Sequence, residues 1–244
     1  MRRVLLTISL SCCLSLLAFA QSDGNYEYSK EFTWGINKNT NGGLIGGFTF
    51  KWANSINEKQ FKTFGFELMN VKHPKEIRIS ATGSPFLYPK LNYLYSVRGF
   101  YGRDFLLFKK APQQGVQIIF TTAAGPTIGV VAPYYVRIEN GTVRTSYVKD
   151  TDSTNPNPVF KPFGSQITGT GHIFQGLGKS ELKFGLNAKA GVMFEMGAFK
   201  SNVTGFEIGA QLEAFTEKII IVPTQSNRAI FSSLYLTLFY GHRR

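Results

Sequence analysis

The sequence is poor in cysteine, in charge and in long apolar runs. Its only two cysteines, Cys12 and Cys13, lie within the first 20 residues. Beyond those residues no window holds 18 consecutive apolar residues, so the sequence predicts no transmembrane helix. Charged residues make up 17% of the chain, below the roughly 25% that is typical of soluble domains. The composition therefore argues against a disulfide-stapled domain, a helical membrane protein and an ordinary soluble domain.

The beginning of the chain has the layout of a secretory signal peptide. Two arginines are followed by an apolar stretch up to Phe19, and the stretch ends in the small-x-small motif AFA. Acylation of Cys12 or Cys13 is the alternative, but neither cysteine has a good lipid-attachment context. We expect residues 1–20 to be removed and residues 21–244 to form one exported domain. Without its cysteines that domain has no disulfide and no thiolate zinc site.

Apolar residues alternate with polar or small residues along most of the chain. The clearest example is ELKFGLNAKAGVMFEMG, in which every second residue is apolar. This period of two predicts β-strands. Because one predicted strand contains Gly125 and Pro126, a hairpin within it, and a total of nine or ten strands, stays open. The eight predicted strands cover 31–38, 44–54, 61–72, 91–107, 115–138, 181–198, 203–217 and 228–241.

Glycine in the polar row of these strands indicates a narrow interior. Glycine weakens a strand, but the lumen of an eight-stranded barrel has room only for closely packed side chains. The apolar row then faces lipid. The glycines of the polar row are Gly47, Gly65, Gly185, Gly191, Gly197, Gly205 and Gly209.

The same polar row carries four cations and four carboxylates. Equal numbers of opposite charges suit a closed interior, because an unpaired buried charge is strongly destabilising. Within this predicted lumen charge network we expect Lys189 to neutralise Glu195 or Glu213. The eight residues are Lys51, Arg98, Lys183, Lys189, Glu67, Glu195, Glu207 and Glu213.

The predicted architecture is an all-β, antiparallel, up-and-down transmembrane β-barrel of about eight strands, with ten as the alternative. Several predicted strands exceed the roughly 9–11 residues that cross an outer membrane. The aromatic residues Trp52, Tyr93, Tyr95 and Tyr240 lie on the apolar row, so we expect them at membrane interfaces. These features predict a location in the cell outer membrane.

The predicted connections differ in length at the two ends of the barrel. If both termini lie in the periplasm, the periplasmic turns are short and the long outer loops fall near 73–89 and 139–180, as is usual for such barrels. Residues 160–180 mix phenylalanine and isoleucine with glycine. This segment is a candidate to cap the barrel mouth, to plug the lumen or to dock on a protein partner.

The strong positive charge favours acidic lipid over nucleic acid as a partner. The formal net charge is +12, and loss of two arginines with the leader leaves 12 − 2 = +10. The basic residues are dispersed, unlike those of a nucleic-acid-binding surface. Small groups near the predicted membrane edges favour outer-membrane lipid headgroups and lipopolysaccharide phosphates. These groups are Lys72 with Lys75, Lys109 with Lys110, and Arg243 with Arg244.

Several phrases of the sequence resemble a family of small, mostly uncharacterised outer-membrane β-barrel proteins of Bacteroidota. The phrases are KLNYLYSVRGFYGRDFLLFKKAPQQGVQI, GPTIGVVAPYYVRI, VTGFEIGAQLEAFTEKIIIVP and LYLTLFYGHRR. The resemblance covers roughly residues 44–241 and implies an outer-membrane barrel, but it carries no catalytic residues. One departure is that residues 241–244 follow Tyr240, where such barrels usually end in an aromatic residue.

Motifs that carry chemistry are few. The three histidines, His73, His172 and His242, are too scattered for a metal motif, and no cofactor or metal is predicted. A structural or interaction role, for example as a subunit of a larger outer-membrane assembly, is the leading hypothesis. A small-solute or ion channel is the alternative. A lipid-acting enzyme that uses His172 and Ser165 is a weaker hypothesis, and we expect no enzyme activity.

Overall fold

The described part of the chain is almost entirely β-structure. The computed structural model describes residues 29–42, 46–79, 85–109, 115–138, 141–149, 158–161, 167–172, 174–196, 202–223 and 225–244. The predicted signal peptide, residues 1–20, lies outside these ranges. No helix within them is long and apolar enough to cross a membrane. In chain order the strands are β1 (Lys30–Asn39), β2 (Gly47–Asn57), β3 (Gln60–Val71), β4 (Ile77–Ile79), β5 (Phe86–Tyr88), β6 (Asn92–Phe108), β7 (Gln117–Pro133), β8 (Tyr135–Ile138), β9 (Gly141–Arg144), β10 (Ser146–Lys149), β11 (Pro158–Lys161), β12 (Ile167–Thr170), β13 (Glu181–Glu195), β14 (Asn202–Phe215) and β15 (Ile230–Arg243).

Eight of these strands close into an antiparallel barrel. Their order around the barrel is β1-β15-β14-β13-β7-β6-β3-β2, and β1 pairs with both β15 and β2, which closes the sheet. The predicted all-β, up-and-down barrel of eight strands is confirmed. The segment 115–138 contains one barrel strand, β7, which runs through Gly125 and Pro126 without a hairpin.

The barrel places its polar rows inside and its apolar rows outside. Successive side chains of a strand point to opposite faces, so each strand contributes one row to the interior. On β1 the outward Trp34 and Ile36 are 46% and 40% exposed, whereas the inward Thr33 and Asn37 are 4% and 0% exposed. This is the reverse of a soluble sheet, which buries its apolar face.

The two ends of the barrel differ in what they carry. The end at which β1 begins and β15 ends, here called the terminal end, has the connections 58–59, 109–116 and 196–201. The opposite end, here called the loop end, has the connections 40–46, 72–91, 134–180 and 216–229. Most of the described residues outside the barrel strands therefore lie at the loop end.

A second layer of strands stands on the loop end. The β4–β5 hairpin and the β12–β8–β9 sheet share a small apolar core that includes Phe86 and Val136. The hydroxyl of the fully buried Tyr134 accepts hydrogen bonds from Leu87 N–H at 2.9 Å and from the Thr170 hydroxyl at 3.0 Å. One side chain thus joins the hairpin to the sheet. We call these five strands the loop-end extension.

Tyr93, on the outward face of β6, is covered by side chains of this extension. It is 9% exposed, and its ring centroid is 5.7 Å from that of Tyr95 and 5.4 Å from that of Tyr134. The expectation that Tyr93 sits at a membrane interface is wrong, because the extension covers the outward side of β6 at this height. Trp52 and Tyr240 do lie on the outward face of the barrel.

The ladder between β6 and β7 is interrupted at Pro126, which has no N–H to donate. Asn187 of β13 reaches this gap from inside the barrel. Its Nδ2 lies 3.0 Å from the carbonyl oxygen of Gly99, 3.1 Å from that of Gly125 and 3.0 Å from that of Pro126. One side-chain amide therefore supplies the donors that the strand lacks.

We expect Asn187→Ala to lower the free energy of unfolding by about 1–3 kcal/mol, because buried carbonyl groups lose their donor. The measurement is a urea titration of the folded barrel in lipid vesicles. Asn54→Ala makes the same chemical change at a half-buried, outward position of β2 and should have a smaller effect. Equal losses for the two variants would contradict this role of Asn187.

Candidate functional site

A charged cluster around Arg98 fills the centre of the barrel. Arg98 Nη2 lies 2.7 Å from Glu213 Oε2, and its Nη1 lies 3.1 Å from Glu67 Oε2. Gln211 Nε2 donates to Glu67 Oε2 at 3.3 Å, and Asn37 Nδ2 donates to Glu67 Oε1. All five side chains are buried. We call these residues the central cluster; it spans the lumen, because β6 and β14 are separated by β7 and β13.

A second buried ion pair lies on the terminal side of the central cluster. Lys51 Nζ lies 2.7 Å from Asp104 Oδ2. Beside this pair, Glu207 accepts hydrogen bonds from the Tyr235 hydroxyl at 2.6 Å and from the Thr121 hydroxyl at 3.3 Å. These contacts fill the lumen cross-section below the central cluster with hydrogen-bonded polar groups.

A third set of charges closes the terminal end of the polar interior. Arg243 Nε donates to Glu31 Oε2 at 2.7 Å, and the two terminal nitrogens of its guanidinium bind both oxygens of Glu195. Such bidentate arginine–carboxylate pairs are among the strongest hydrogen-bonded contacts in proteins. The last residues of β15 are therefore tied to β1 and β13.

Lys189 does not neutralise the carboxylates that we expected it to neutralise. Its Nζ lies 4.1 Å from the ring centroid of Phe100 and 5.6 Å from that of Tyr235, so it makes cation–π contacts. Glu195 and Glu213 are bound by arginines. The expected pairing is wrong because the guanidinium forks hold these carboxylates bidentately.

Lys183 lies at the loop end and outside the central cluster. Its Nζ is 2.7 Å from Glu217 Oε2 and 3.6 Å from Glu181 Oε2, and its side chain is 24% exposed. The first residues of β13 extend beyond the packed part of the lumen, so this lysine meets carboxylates of the rim.

The lumen holds more carboxylates than we expected. In the packed lumen between the two rims, four cations and six carboxylates point inward, where we expected four of each. Lys183 and Glu181 lie on the inward row of β13 but at the loop-end rim. Asp104 lies on the same row as Arg98, six residues along β6, so strict alternation identifies it. Arg243 was missed because β15 was expected to end at residue 241. The cations are Lys51, Arg98, Lys189 and Arg243, and the carboxylates are Glu31, Glu67, Asp104, Glu195, Glu207 and Glu213.

Inward glycines make room for the aromatic side chains of the lumen. A Cβ atom at Gly65 would lie 2.7 Å from the ring of Phe100. Cβ atoms at Gly191 or Gly209 would each lie 2.6 Å from the hydroxyl of Tyr235. Any larger residue at these positions would displace the rings that fill the lumen.

An apolar cap seals the loop end of the lumen. Ile219, Ile221 and Val222, from the β14–β15 connection, pack on the inward side chains of Leu94 and Phe215. The three cap residues are each at most 1% exposed. The cap is therefore formed by the β14–β15 connection, whereas the sequence suggests the 160–180 segment as a candidate. Within 160–180, strand β12 pairs with β8 in the loop-end extension.

One asparagine fixes the cap segment. Asn227 Oδ1 accepts hydrogen bonds from the N–H groups of Ile221 at 3.0 Å and Val222 at 3.3 Å. Its Nδ2 donates to the carbonyl oxygens of Val222 at 2.9 Å and Gln225 at 3.0 Å. The cap is therefore a defined turn with its polar backbone groups bonded.

A second apolar cluster lies towards the terminal end, where Ile119, Met193, Val203 and Phe239 are all buried together. Apolar side chains thus bound the central polar groups on both sides.

The turn that precedes β4 is held by a buried lysine. Lys90 Nζ lies 2.8 Å from Glu76 Oε1 and 4.4 Å from the ring centroid of Tyr93. Burial lowers the pKa of the Lys90 ammonium from its ordinary value, and the attraction of Glu76 opposes this shift. Glu76 also accepts the N–H of His73 at 3.0 Å, so the 73–76 turn is anchored to the extension.

The outward face of the barrel carries a broad apolar surface with contacting aromatic rings. Such rings are typical of the boundary between hydrocarbon and headgroups. The contacting pairs, with the distances between ring centroids, are Phe32 and Trp52 at 5.1 Å, Trp34 and Tyr240 at 6.3 Å, Trp52 and Phe64 at 5.4 Å, and Phe194 and Phe206 at 5.0 Å.

The charged residues on this outward face are all positive. Lys30, Lys38, Lys62 and Arg103 point outward from the barrel strands, and every carboxylate of those strands points inward or lies at the rim. This holds for all eight barrel strands, which the structure describes in full. An exterior of this kind suits contact with acidic headgroups.

The residues of the weaker enzymatic hypothesis are not brought together among the described positions. His172 is exposed, and Ser165 lies outside the described residues. Within the described ranges no group of three or more histidine, cysteine, aspartate or glutamate side chains is placed to hold a metal ion.

The strand order and the polar interior together define the structural class of this chain, which is a closed, eight-stranded antiparallel β-barrel. No protein-family model matches it, and no curated protein matches it significantly. Among solved structures it is similar to the attachment invasion locus protein Ail of Yersinia pestis, with 13% identity, a TM-score of 0.38, and 88% of this chain and 97% of that chain covered.

Two further solved structures are similar to the same degree. Neisserial surface protein A has 10% identity and a TM-score of 0.40, with 89% of this chain and 97% of that chain covered. The N-terminal β-barrel domain of Pseudomonas aeruginosa OprF has 9% identity and a TM-score of 0.36, with 89% and 98% covered.

We expect Arg98→Met to lower the free energy of unfolding by about 3–5 kcal/mol, because it leaves two buried carboxylates without their cation. Adding Glu67→Gln and Glu213→Gln should recover much of this loss, since the triple variant buries no unpaired charge. Arg103→Met, at an exposed, outward position of β6, is the control with the same substitution. Urea titration of vesicle-inserted barrels measures the free energy of unfolding of the single, triple and control variants. If Arg98→Met lowers this free energy no more than the control does, the proposed role of Arg98 is wrong.

Proposed function

We propose that this protein is an integral outer-membrane β-barrel with a structural or interaction role, in which a sealed barrel holds a loop-end surface outside the membrane. The observation that carries the proposal is the lumen, which is filled by the central cluster and bounded by apolar side chains. We propose no enzymatic activity for it.

The exterior supports the membrane location. Leu186, Leu234 and Leu238 point outward and are 69%, 64% and 60% exposed. Leaving such a side chain in water forgoes about 1.5–3 kcal/mol relative to burial. Lipid removes that loss, and the closed barrel leaves no unpaired strand edge in the hydrocarbon. The predicted signal peptide and the resemblance to outer-membrane barrels of Bacteroidota agree with this location.

The closed lumen supports a structural role over a channel. Opening a path would require separating Arg98 from Glu67 and Glu213 and moving the cap residues Ile219 and Ile221. Breaking a buried ion pair costs about 3–5 kcal/mol. An eight-stranded barrel is also the size whose interior side chains fill the space.

The loop-end extension supports an interaction role. It rises above the barrel and is held by its own core and by the Tyr134 hydroxyl. Apolar side chains of this end are exposed, including Ile77 at 58% and Phe174 at 68%. Exposed apolar side chains on an ordered surface suit contact with another protein. Membership of a larger outer-membrane assembly is the form of this role that we propose.

We expect purified barrels to give no stable open current in planar lipid bilayers. A variant with Ile219→Ser and Ile221→Ser makes two of the three cap residues polar but keeps the central cluster, and it should also stay closed. Protection of the barrel strands from protease in vesicles establishes insertion before the recording, and a porin serves as the conducting control.

A reproducible current that scales with the amount of wild-type barrel would overturn the closed-lumen proposal and favour the small-solute or ion channel.

The same preparations can be assayed for catalysis: turnover of phospholipid or lipid A above that of a His172→Ala variant would favour the lipid-acting enzyme. The assembly is tested separately by mild extraction from the native membrane, in which a protein partner should co-purify in fixed ratio.

A further inference from the structure

We infer that a basic pocket at the loop end binds the phosphate group of an outer-leaflet lipid, whose acyl chain lies in the adjoining cleft on the barrel wall. This inference rests on the proposed membrane location. It assigns a ligand-binding site to a part of the loop end that is separate from the extension.

The pocket lies between two connections of the loop end. One wall is the segment 72–75 and the other is formed by residues 226–232. Its volume is about 130 Å³, several times the roughly 30 Å³ that one water molecule occupies in the liquid. This is sufficient space for one phosphate group.

The lining of the pocket is cationic. Lys72, Lys75 and Arg228 contribute to it, together with His73, and none of the described residues that line it is acidic. Within the described part of the chain, none of these three cations has a carboxylate oxygen within 4.0 Å. Three cations that line one pocket without a carboxylate at ion-pair distance favour an anionic ligand.

Neutral hydrogen-bond donors complete the lining. Ser226 and Ser232 contribute exposed hydroxyl groups. His73 Nδ1 accepts the N–H of Lys75 at 3.2 Å, which leaves its other ring nitrogen as the one that carries a proton. Phosphate oxygens accept hydrogen bonds from lysine, arginine, hydroxyl and imidazole groups alike.

The pocket has an apolar floor and a fixed wall. Ile219 and Ile221 of the cap line it from below, and a low-polarity floor strengthens the attraction between its cations and an anion. The 72–75 wall is anchored by the adjacent Glu76, which binds Lys90 at 2.8 Å. The cationic groups are therefore carried on ordered segments.

A cleft on the outward face of the barrel adjoins this pocket. It crosses β13, β14 and β15, has a volume of about 560 Å³ and shares Ser232 with the basic pocket. Leu212 and Leu234 form its walls, and Ala188 and Ala190 form much of its floor. The barrel rim is low here, because β1 ends at Asn39 and β2 begins at Gly47.

The shared Ser232, which lines both cavities, favours a lipid as the source of the phosphate. A soluble phosphate would use the basic pocket alone, whereas a lipid places its headgroup and its acyl chain at adjoining polar and apolar sites. Ile230, which lines the pocket, points outward and is 57% exposed. The pocket is therefore bordered by an apolar, outward position of the barrel wall.

The test counts bound lipid by native mass spectrometry on barrels inserted in phosphatidylcholine nanodiscs. The probes are diphosphorylated lipid A, the same lipid after phosphate removal, and inorganic phosphate. We expect one lipid A to bind per barrel, and a variant with Lys72→Gln, Lys75→Gln and Arg228→Gln to bind it about tenfold more weakly, the change expected from about 1.4 kcal/mol of lost contacts.

The matched control removes three exposed loop-end cations outside the pocket, by Arg137→Gln, Arg144→Gln and Lys179→Gln. It should leave lipid binding within about twofold of wild type, which is less than 0.5 kcal/mol. Equal weakening in the two triple variants would mean that net charge alone attracts the lipid, and would overturn the site.

Ala190→Phe separates the lipid from a free anion. Filling the cleft should weaken binding of lipid A, with inorganic phosphate unaffected. If inorganic phosphate binds as tightly as lipid A and Ala190→Phe changes the affinity for neither, the ligand is a soluble phosphate and the lipid assignment is wrong.

If the triple variant does not fold, the single Arg228→Gln variant, at an exposed position, replaces it in the binding measurement. Barrels that fail to enter nanodiscs would refute the membrane location; inserted barrels that bind no lipid refute only this inference.

Discussion

Arg98 is held between Glu67 on a neighbouring strand and Glu213 on a strand across the barrel. In a lumen this narrow no bulk water can solvate an ion, so each charge needs partners at hydrogen-bond distance. For this reason each charged side chain of the central cluster is paired with an opposite charge. Towards the terminal end, Lys51 is paired with Asp104 in the same way, and Arg243 is paired with Glu31 and Glu195. Aromatic rings fill the space between these ion pairs, and glycine on nearby strands makes room for them: Gly65 lies next to Phe100, and Gly191 and Gly209 lie next to Tyr235.

The wall follows from the same geometry. Because side chains alternate along a strand, a polar interior leaves an apolar exterior, and a closed sheet with that exterior fits a lipid bilayer better than water. The sealed interior then limits what the barrel can do. Passage of solute would require the central cluster and the Ile219–Ile221 cap to separate together, so the proposed role lies with the surfaces of the barrel.

The loop end is where those surfaces differ from a plain barrel. The extension held by Tyr134 presents exposed apolar side chains on an ordered scaffold, and it supports the proposed protein contact. On the other side, where β1 and β2 are short, the basic pocket around Arg228 adjoins an apolar cleft, and it supports the proposed lipid contact. The proposed protein contact and the proposed lipid contact thus lie at separate places on the loop end.

Alternation predicted from sequence a polar-inside barrel of about eight strands, because the period of two is a local property of each strand. The structure decided the count of eight, since β7 runs through Gly125 and Pro126 without a hairpin. The same rule identifies Asp104 on the row of Arg98. It could not decide which charges meet: Lys189 contacts the rings of Phe100 and Tyr235, since that choice depends on how strands far apart in sequence align across the lumen. The cap at Ile219–Val222, the burial of Tyr93 and the pocket between 72–75 and 226–232 likewise join segments distant in sequence, and only the tertiary structure brings them together.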